Sequence, residues 1–274
     1  MALINLNFES EYLQGNTEVS VILPDRPRTV PSCEFYGSGE KYRVLWLLHG
    51  TYGDHTDWVR KSSIELYACE NNLIVVMPSA LNSDYLSWPR FSTGYDAESF
   101  LVDELMPLVY NWLPASSKRQ DNFIAGLSMG SMGAAQFAAW YPERFAAAGL
   151  LSGCPTNWRD IPPSRFNKRC INQIDEAGGI QGVLDSHRNV WDRLGQLAGQ
   201  GKLPRMYVAS GTDDFLYEDL YLPFKKYAVE IGLDAVFEEM EGYGHEWRFW
   251  DISIQRTLEF FGMGIAENGM VTTR

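Results

Sequence analysis

Two kinds of apolar pattern run along this chain. Near the N-terminus, polar and apolar residues alternate through Leu3 to Phe8 and again through Val19 to Leu23, the period of strands with one wet face. This predicts an antiparallel pair turning at Gly15-Asn16. Beyond them the apolar residues become continuous: Val44 to Leu48, Leu73 to Met77, Phe123 to Gly126, Ala147 to Leu151, Met206 to Ala209 and Ala235 to Phe237. Short runs of this kind belong to parallel strands buried on both faces. Amphipathic segments fall between them, at Ile64 to Glu70, Ala97 to Trp112, Met129 to Trp140, Leu220 to Ile231 and Glu246 to Phe261. Strand runs alternating with helical segments predict an α/β fold with a mostly parallel sheet and helices on both faces.

One interval breaks the rhythm. More than fifty residues separate Leu151 from Met206, with Pro162-Pro163, Gly178-Gly179 and isolated tryptophans, too long for an ordinary crossover. It reads as an insertion over about 154–203, a cap on the carboxyl edge of the sheet. No repeat, low-complexity tract or linker marks a second domain, so a single domain over 1–274 is expected.

Composition narrows the partners. The chain has 274 residues, is 45% hydrophobic and carries a net charge of −12. That supplies a large core and disfavours nucleic acid and anionic membrane surfaces, so a small-molecule substrate is expected. The N-terminal stretch MALINLNFESEY has no basic start followed by an apolar run, and no stretch of about 18 apolar residues occurs, which predicts a cytoplasmic protein without a membrane span. Cys33, Cys69, Cys154 and Cys170 lack close pairing and read as reduced structural thiols.

The candidate chemistry begins at GLSMG, residues 126–130. A GxSxG between a strand run and a helix is a nucleophile elbow, with Ser128 as the nucleophile. A serine hydroxyl needs a base, itself held by a third group. Of four histidines, His49, His55, His187 and His245, only His245 fits the order serine, acid, histidine, because His187 precedes any acid on a later sheet strand. The acid is expected where RMYVASG ends, at Asp213 or Asp214; Asp214 is favoured, with the other aspartate capping the following helix. Backbone N–H groups of Met129 and of Thr51, in the loop HGTYG after the third strand, are the expected oxyanion donors. His49 is read as a residue that fixes this loop. Trp88, Trp158 and Trp191 are candidates for an acyl or aryl pocket, against the alternative that they bury the cap on the sheet. Asp54, His55 and Asp57 lack further ligands at metal-binding spacing, so neither a metal nor a cofactor is expected. The aromatic positions of the last helix, Trp247 and Trp250 among them, read as core packing.

With these residues in place, the chain resembles the esterase family of α/β-hydrolases that holds esterase D (S-formylglutathione hydrolase), tributyrin esterases and feruloyl (cinnamoyl) esterases. The resemblance rests on LLHGTYGDHTDW at 47–58, FIAGLSMGSMGA at 123–134, YPERFAAAGLLSG at 141–153, GTDDFLY at 211–217 and GHEWRFW at 244–250, which together span most of residues 42–262. It implies the α/β-hydrolase fold, Ser128 as nucleophile, His245 as base and Asp214 as acid. It further implies a metal-free, intracellular serine carboxylesterase acting on short acyl or aryl esters of the feruloyl or cinnamoyl type. A homo-oligomer is compatible with it. Ser131 and Met132 stand where the family commonly has a glycine and an aromatic, a departure expected to alter helix packing and pocket shape. The loop HGTYGDHTDW lacks the cysteine of the esterase D branch, which brings the tributyrin and cinnamoyl branch closer. The competing readings are an acyltransferase or thioesterase using the same triad, and a hydrolase-fold binding protein without turnover.

Overall fold

The computed structural model describes residues 2–263. Its main sheet has eight strands. These are β1 (Ala2–Ser10), β2 (Gly15–Leu23), β3 (Arg43–Leu48), β4 (Leu73–Pro78), β7 (Asn122–Leu127), β8 (Ala147–Leu151), β9 (Arg205–Gly211) and β10 (Ala235–Met240). A separate two-stranded ribbon holds β5 (Ser87–Trp88) and β6 (Tyr95–Asp96). The sheet order is β1-β2-β4-β3-β7-β8-β9-β10, antiparallel at β1, β2 and β4 and parallel from β4 onward. All eight strand runs therefore lie in one sheet, as the α/β reading requires.

The continuous apolar runs have a clear cause. Along β3, Val44, Trp46 and Leu48 enter one core while Leu45 and Leu47 enter the other, and all five are fully buried. Helix Met129–Trp140 covers the first face, and helices Ile64–Glu70 and Trp247–Phe260 cover the second. A strand buried on both sides has no polar face to alternate with.

Three expectations change. The β1–β2 connection is the four residues 11–14, with Gln14 at φ 55°, while Gly15 and Asn16 already pair with Ser10 and Glu9. The segment 97–112 is not one α-helix: a π-helical stretch, Phe100–Leu105, precedes Met106–Trp112, whose first turn holds Pro107. Tyr217–Tyr221 likewise precedes the helix Leu222–Glu230, which carries Pro223 in its first turn. Proline has no N–H for the i−4 carbonyl, so the backbone register widens just before it.

The stretch between β8 and β9 holds a 3₁₀ turn, Pro163–Arg165, and three short α-helices, Lys168–Glu176, Ile180–Leu184 and Val190–Leu197, with a small core of its own around Trp158, Cys170 and Val183. Asn167 caps the first, accepting from the amides of Arg169 and Cys170, and Asn189 caps the third.

Candidate active site

Parallel strands carry their carboxyl ends to one edge of the sheet, and the loops leaving β3, β7, β9 and β10 meet there. Ser128 follows β7 with φ 53° and ψ −115°, a backbone state that a non-glycine residue holds only under strain. The flanking glycines make the turn possible. A Cβ on Gly126 would lie 2.4 Å from the Gly130 backbone, and one on Gly130 would lie 2.5 Å from the Leu48 carbonyl oxygen. The turn is further anchored by the Ser128 amide, which donates to the Leu151 carbonyl at 2.8 Å.

His245 Nε2 is 2.9 Å from Ser128 Oγ, and its Nδ1 is 2.8 Å from Asp214 Oδ2. Because the carboxylate can only accept, Nδ1 carries the proton and Nε2 is left to accept from the serine hydroxyl. Asp214 is 4% exposed, and its second oxygen accepts the Leu216 amide at 2.9 Å. The loops bearing acid and base are stitched together, since the Asp213 amide donates to the Tyr243 carbonyl at 3.0 Å. Asp213 itself is exposed, its carboxylate accepting from its neighbour Thr212 at 3.3 Å. The capping role expected of it is not taken up: the helical stretch Tyr217–Tyr221 has no side-chain cap, and Asp214 instead closes a turn on the Leu216 amide ahead of it.

Met129 opens its helix, where an N–H has no intrahelical acceptor. The Thr51 amide, in the loop after β3, donates to no other backbone carbonyl among the described residues. That loop is held by His49, 1% exposed, whose Nε2 accepts the Ala80 amide at 2.9 Å and whose Nδ1 donates to the Gly50 carbonyl at 2.7 Å. Burial pushes the His49 pKa down, so the ring stays neutral and keeps both bonds. Its expected structural place therefore has a geometric basis. His55 instead bonds Ser20 Oγ at 2.7 Å, on the side of β2.

A cavity of about 610 Å³ opens over Ser128 and His245. Thr51, Met132, Phe215, Trp247 and Trp250 form part of its wall. Phe215 is 68% exposed and its ring centre lies 4.6 Å from that of His245; Trp250 meets His245 edge-on at 5.0 Å. The three tryptophans expected in the pocket are not in this wall. Trp88 donates to the Ser83 carbonyl at 2.6 Å, and Trp191 stacks on Tyr227 at 4.2 Å. Trp158 is buried in the insertion's own core, its indole N–H spent on the Arg188 carbonyl at 2.9 Å. Trp88 and Trp191 pack against the main core, whereas Trp158 also lines a smaller space of about 60 Å³ next to the cavity. Trp247 and Trp250, read from periodicity as core alone, also face the cavity, and Met132 both packs against the core and lines the cavity. Ser131, the other departure, donates to the Gly153 carbonyl at 2.5 Å. Arg165, Asn167, Lys168 and Arg169 of the insertion complete the wall, with Arg169 Nη2 donating to Thr51 Oγ1 at 2.8 Å.

Known proteins similar to this chain are esterases and serine hydrolases. A family model described as "Putative esterase" matches residues 10–258. The chain is 31% identical over 271 residues to an acetyl esterase of Caldicellulosiruptor saccharolyticus, covering 95% of this chain and 98% of that one. Two solved Staphylococcus aureus structures, the fluorophosphonate-binding serine hydrolase F and an S-formylglutathione hydrolase, each match with TM-score 0.76 and 29% identity, over 95% of this chain and 98% of theirs. A ferulic acid esterase matches at TM-score 0.69 and 22% identity, over 95% of this chain and 97% of that one, a likeness of fold. No helix among the described residues is long and apolar enough to cross a membrane.

Proposed function

The chain belongs to the esterase family and is a carboxylic ester hydrolase, and from that premise we propose that Ser128, His245 and Asp214 are its catalytic triad. The observation that carries this reading is the pair of contacts at His245, 2.9 Å to Ser128 and 2.8 Å to Asp214. Ser128 Oγ attacks the ester carbonyl as His245 Nε2 takes its proton. The resulting oxyanion lies between the Met129 and Thr51 amides, and His245 returns the proton to the departing alcohol. Water then repeats the sequence on the acyl-enzyme. Asp214 holds the imidazole tautomer and stabilises the imidazolium.

The substrates in this reading are esters with short acyl or aryl groups. Likeness to an acetyl esterase supports a small acyl side, and the aromatic wall of Phe215, Trp247 and Trp250 supports an aryl group. A thioesterase reading on the same triad draws on the 29% likeness to an S-formylglutathione hydrolase. A panel of acetyl, butyryl and feruloyl esters beside S-formylglutathione separates the two. Ser128→Ala is expected to lower kcat on 4-nitrophenyl acetate by about 10³-fold or more; unchanged turnover refutes the triad.

A further inference from the structure

The protein is strongly acidic, at net charge −12, yet the insertion side of the Ser128 cavity is cationic. Arg165, Lys168 and Arg169 line it together. Elsewhere in the wall Lys61 and Asp57 are paired at 2.8 Å and cancel. Arg169 is already engaged, with Nη1 3.4 Å from Asp84 and Nη2 on Thr51. Asp84 is 5% exposed and also accepts from Gln173 at 2.9 Å. This fixes Arg169 in place beside the loop that supplies one candidate oxyanion donor.

Arg165 differs. It is half-buried, and among the described residues its guanidinium has neither a hydrogen bond nor an ion pair; its Nε is fully enclosed without a partner. Burial and the neighbouring Arg169 charge push its pKa down, and the more distant carboxylates of Asp219 and Asp84 offset this only in part. Leaving a guanidinium nitrogen enclosed without a partner costs stability. Arg165 also stands on the border of two spaces. It lines the Ser128 cavity and an adjoining one of about 60 Å³, and Met132, Asn167 and Arg169 line both. The small space is therefore a side pocket of the substrate cavity.

Resting on the triad reading above, we infer that Arg165, with Lys168 at the mouth and Arg169 beside it, is an anion subsite of the Ser128 cavity, so that the enzyme prefers esters bearing a carboxylate a few bonds from the scissile carbonyl. A carboxylate meets the planar guanidinium fork and supplies the direct ion pair that Arg165 lacks. The acidic remainder of the surface repels such a substrate at long range, which makes the local cationic wall the place where selection occurs.

The test is a matched pair, 4-acetoxybenzoate and its methyl ester, which share the acetyl group and the phenol leaving group and differ in the carboxylate. The ratio of their kcat/KM values is read at low and high salt in the wild type, in Arg165→Met and in Arg165→Lys. The inference predicts a wild-type ratio that falls with salt, a drop of about tenfold or more in Arg165→Met carried by KM, and partial recovery in Arg165→Lys. A ratio indifferent to both salt and Arg165→Met overturns it, and the salt arm decides the matter should the variant fail to fold. Turnover of the neutral ester that Ser128→Ala abolishes shows that the triad reading stands whatever the ratio does. Absence of wild-type turnover on both esters overturns that reading and this one with it.

Discussion

Asp214 and His245 meet at 2.8 Å although 31 residues separate them, and the second oxygen of the same carboxylate holds the Leu216 amide. One side chain thus orients the base and closes its own loop. Asp214→Asn keeps the size but can present an N–H to Nδ1, which reverses the tautomer. The expected outcome is a loss of about 10³ to 10⁴ in kcat on 4-nitrophenyl acetate with KM little altered; a loss below tenfold counts against the role of Asp214.

The tight approach of strand and helix behind Ser128 has a price in allowed side chains. Gly130→Ala places a methyl 2.5 Å from the Leu48 carbonyl oxygen, where rigid backbone cannot yield. Denaturant unfolding should show a destabilisation of at least about 1–3 kcal/mol. A variant as stable as the wild type contradicts the packing described.

His49 links acid stability to the oxyanion loop. Its folded pKa lies below the ordinary imidazole value, so the unfolded chain binds the proton more tightly. The stability it confers is complete above about pH 6.5 and is lost as the pH falls below that value. His49→Gln should flatten the pH dependence of unfolding below about pH 6.5 and should lower kcat, since the Gly50 and Ala80 contacts are changed. A slope equal to the wild type's disproves the link.

Aromatic residues divide into wall and packing. Phe215→Ala is expected to raise KM for aryl esters by about three- to tenfold relative to acetyl esters, because the ring stands beside His245. Trp191→Ala is expected instead to lower stability by about 2–3 kcal/mol while leaving the aryl-to-acetyl preference as it is, because its partner is Tyr227. The reverse pattern in ester kinetics restores Trp191 to the pocket.

The parts of this molecule legible in its sequence are those with a single physical solution. Strands buried on both faces leave continuous apolar runs, a GxSxG between strand and helix has one geometry, and four histidines leave His245 alone in the right order. What escaped reading depends on directions that sequence does not encode. Whether Asp213 or Asp214 turns inward is set by the loop after β9, and the helix cap expected of the other aspartate does not form. The 3.6-residue period of 97–112 looks alike in α and π register, so only Pro107 hinted at the change. The cavity wall draws Arg165, Lys168 and Arg169 from a short stretch without periodicity, where the Asn167 cap was the one readable signal.

The catalytic assignment is tested most directly by intact-mass and peptide-mapping analysis of the protein after reaction with a fluorophosphonate probe. A single adduct on the peptide containing Ser128, absent in Ser128→Ala and strongly slowed in His245→Ala, is the expected result. Stable labelling of Ser128→Ala at another serine, or no labelling of a wild-type protein that still hydrolyses 4-nitrophenyl acetate, contradicts it.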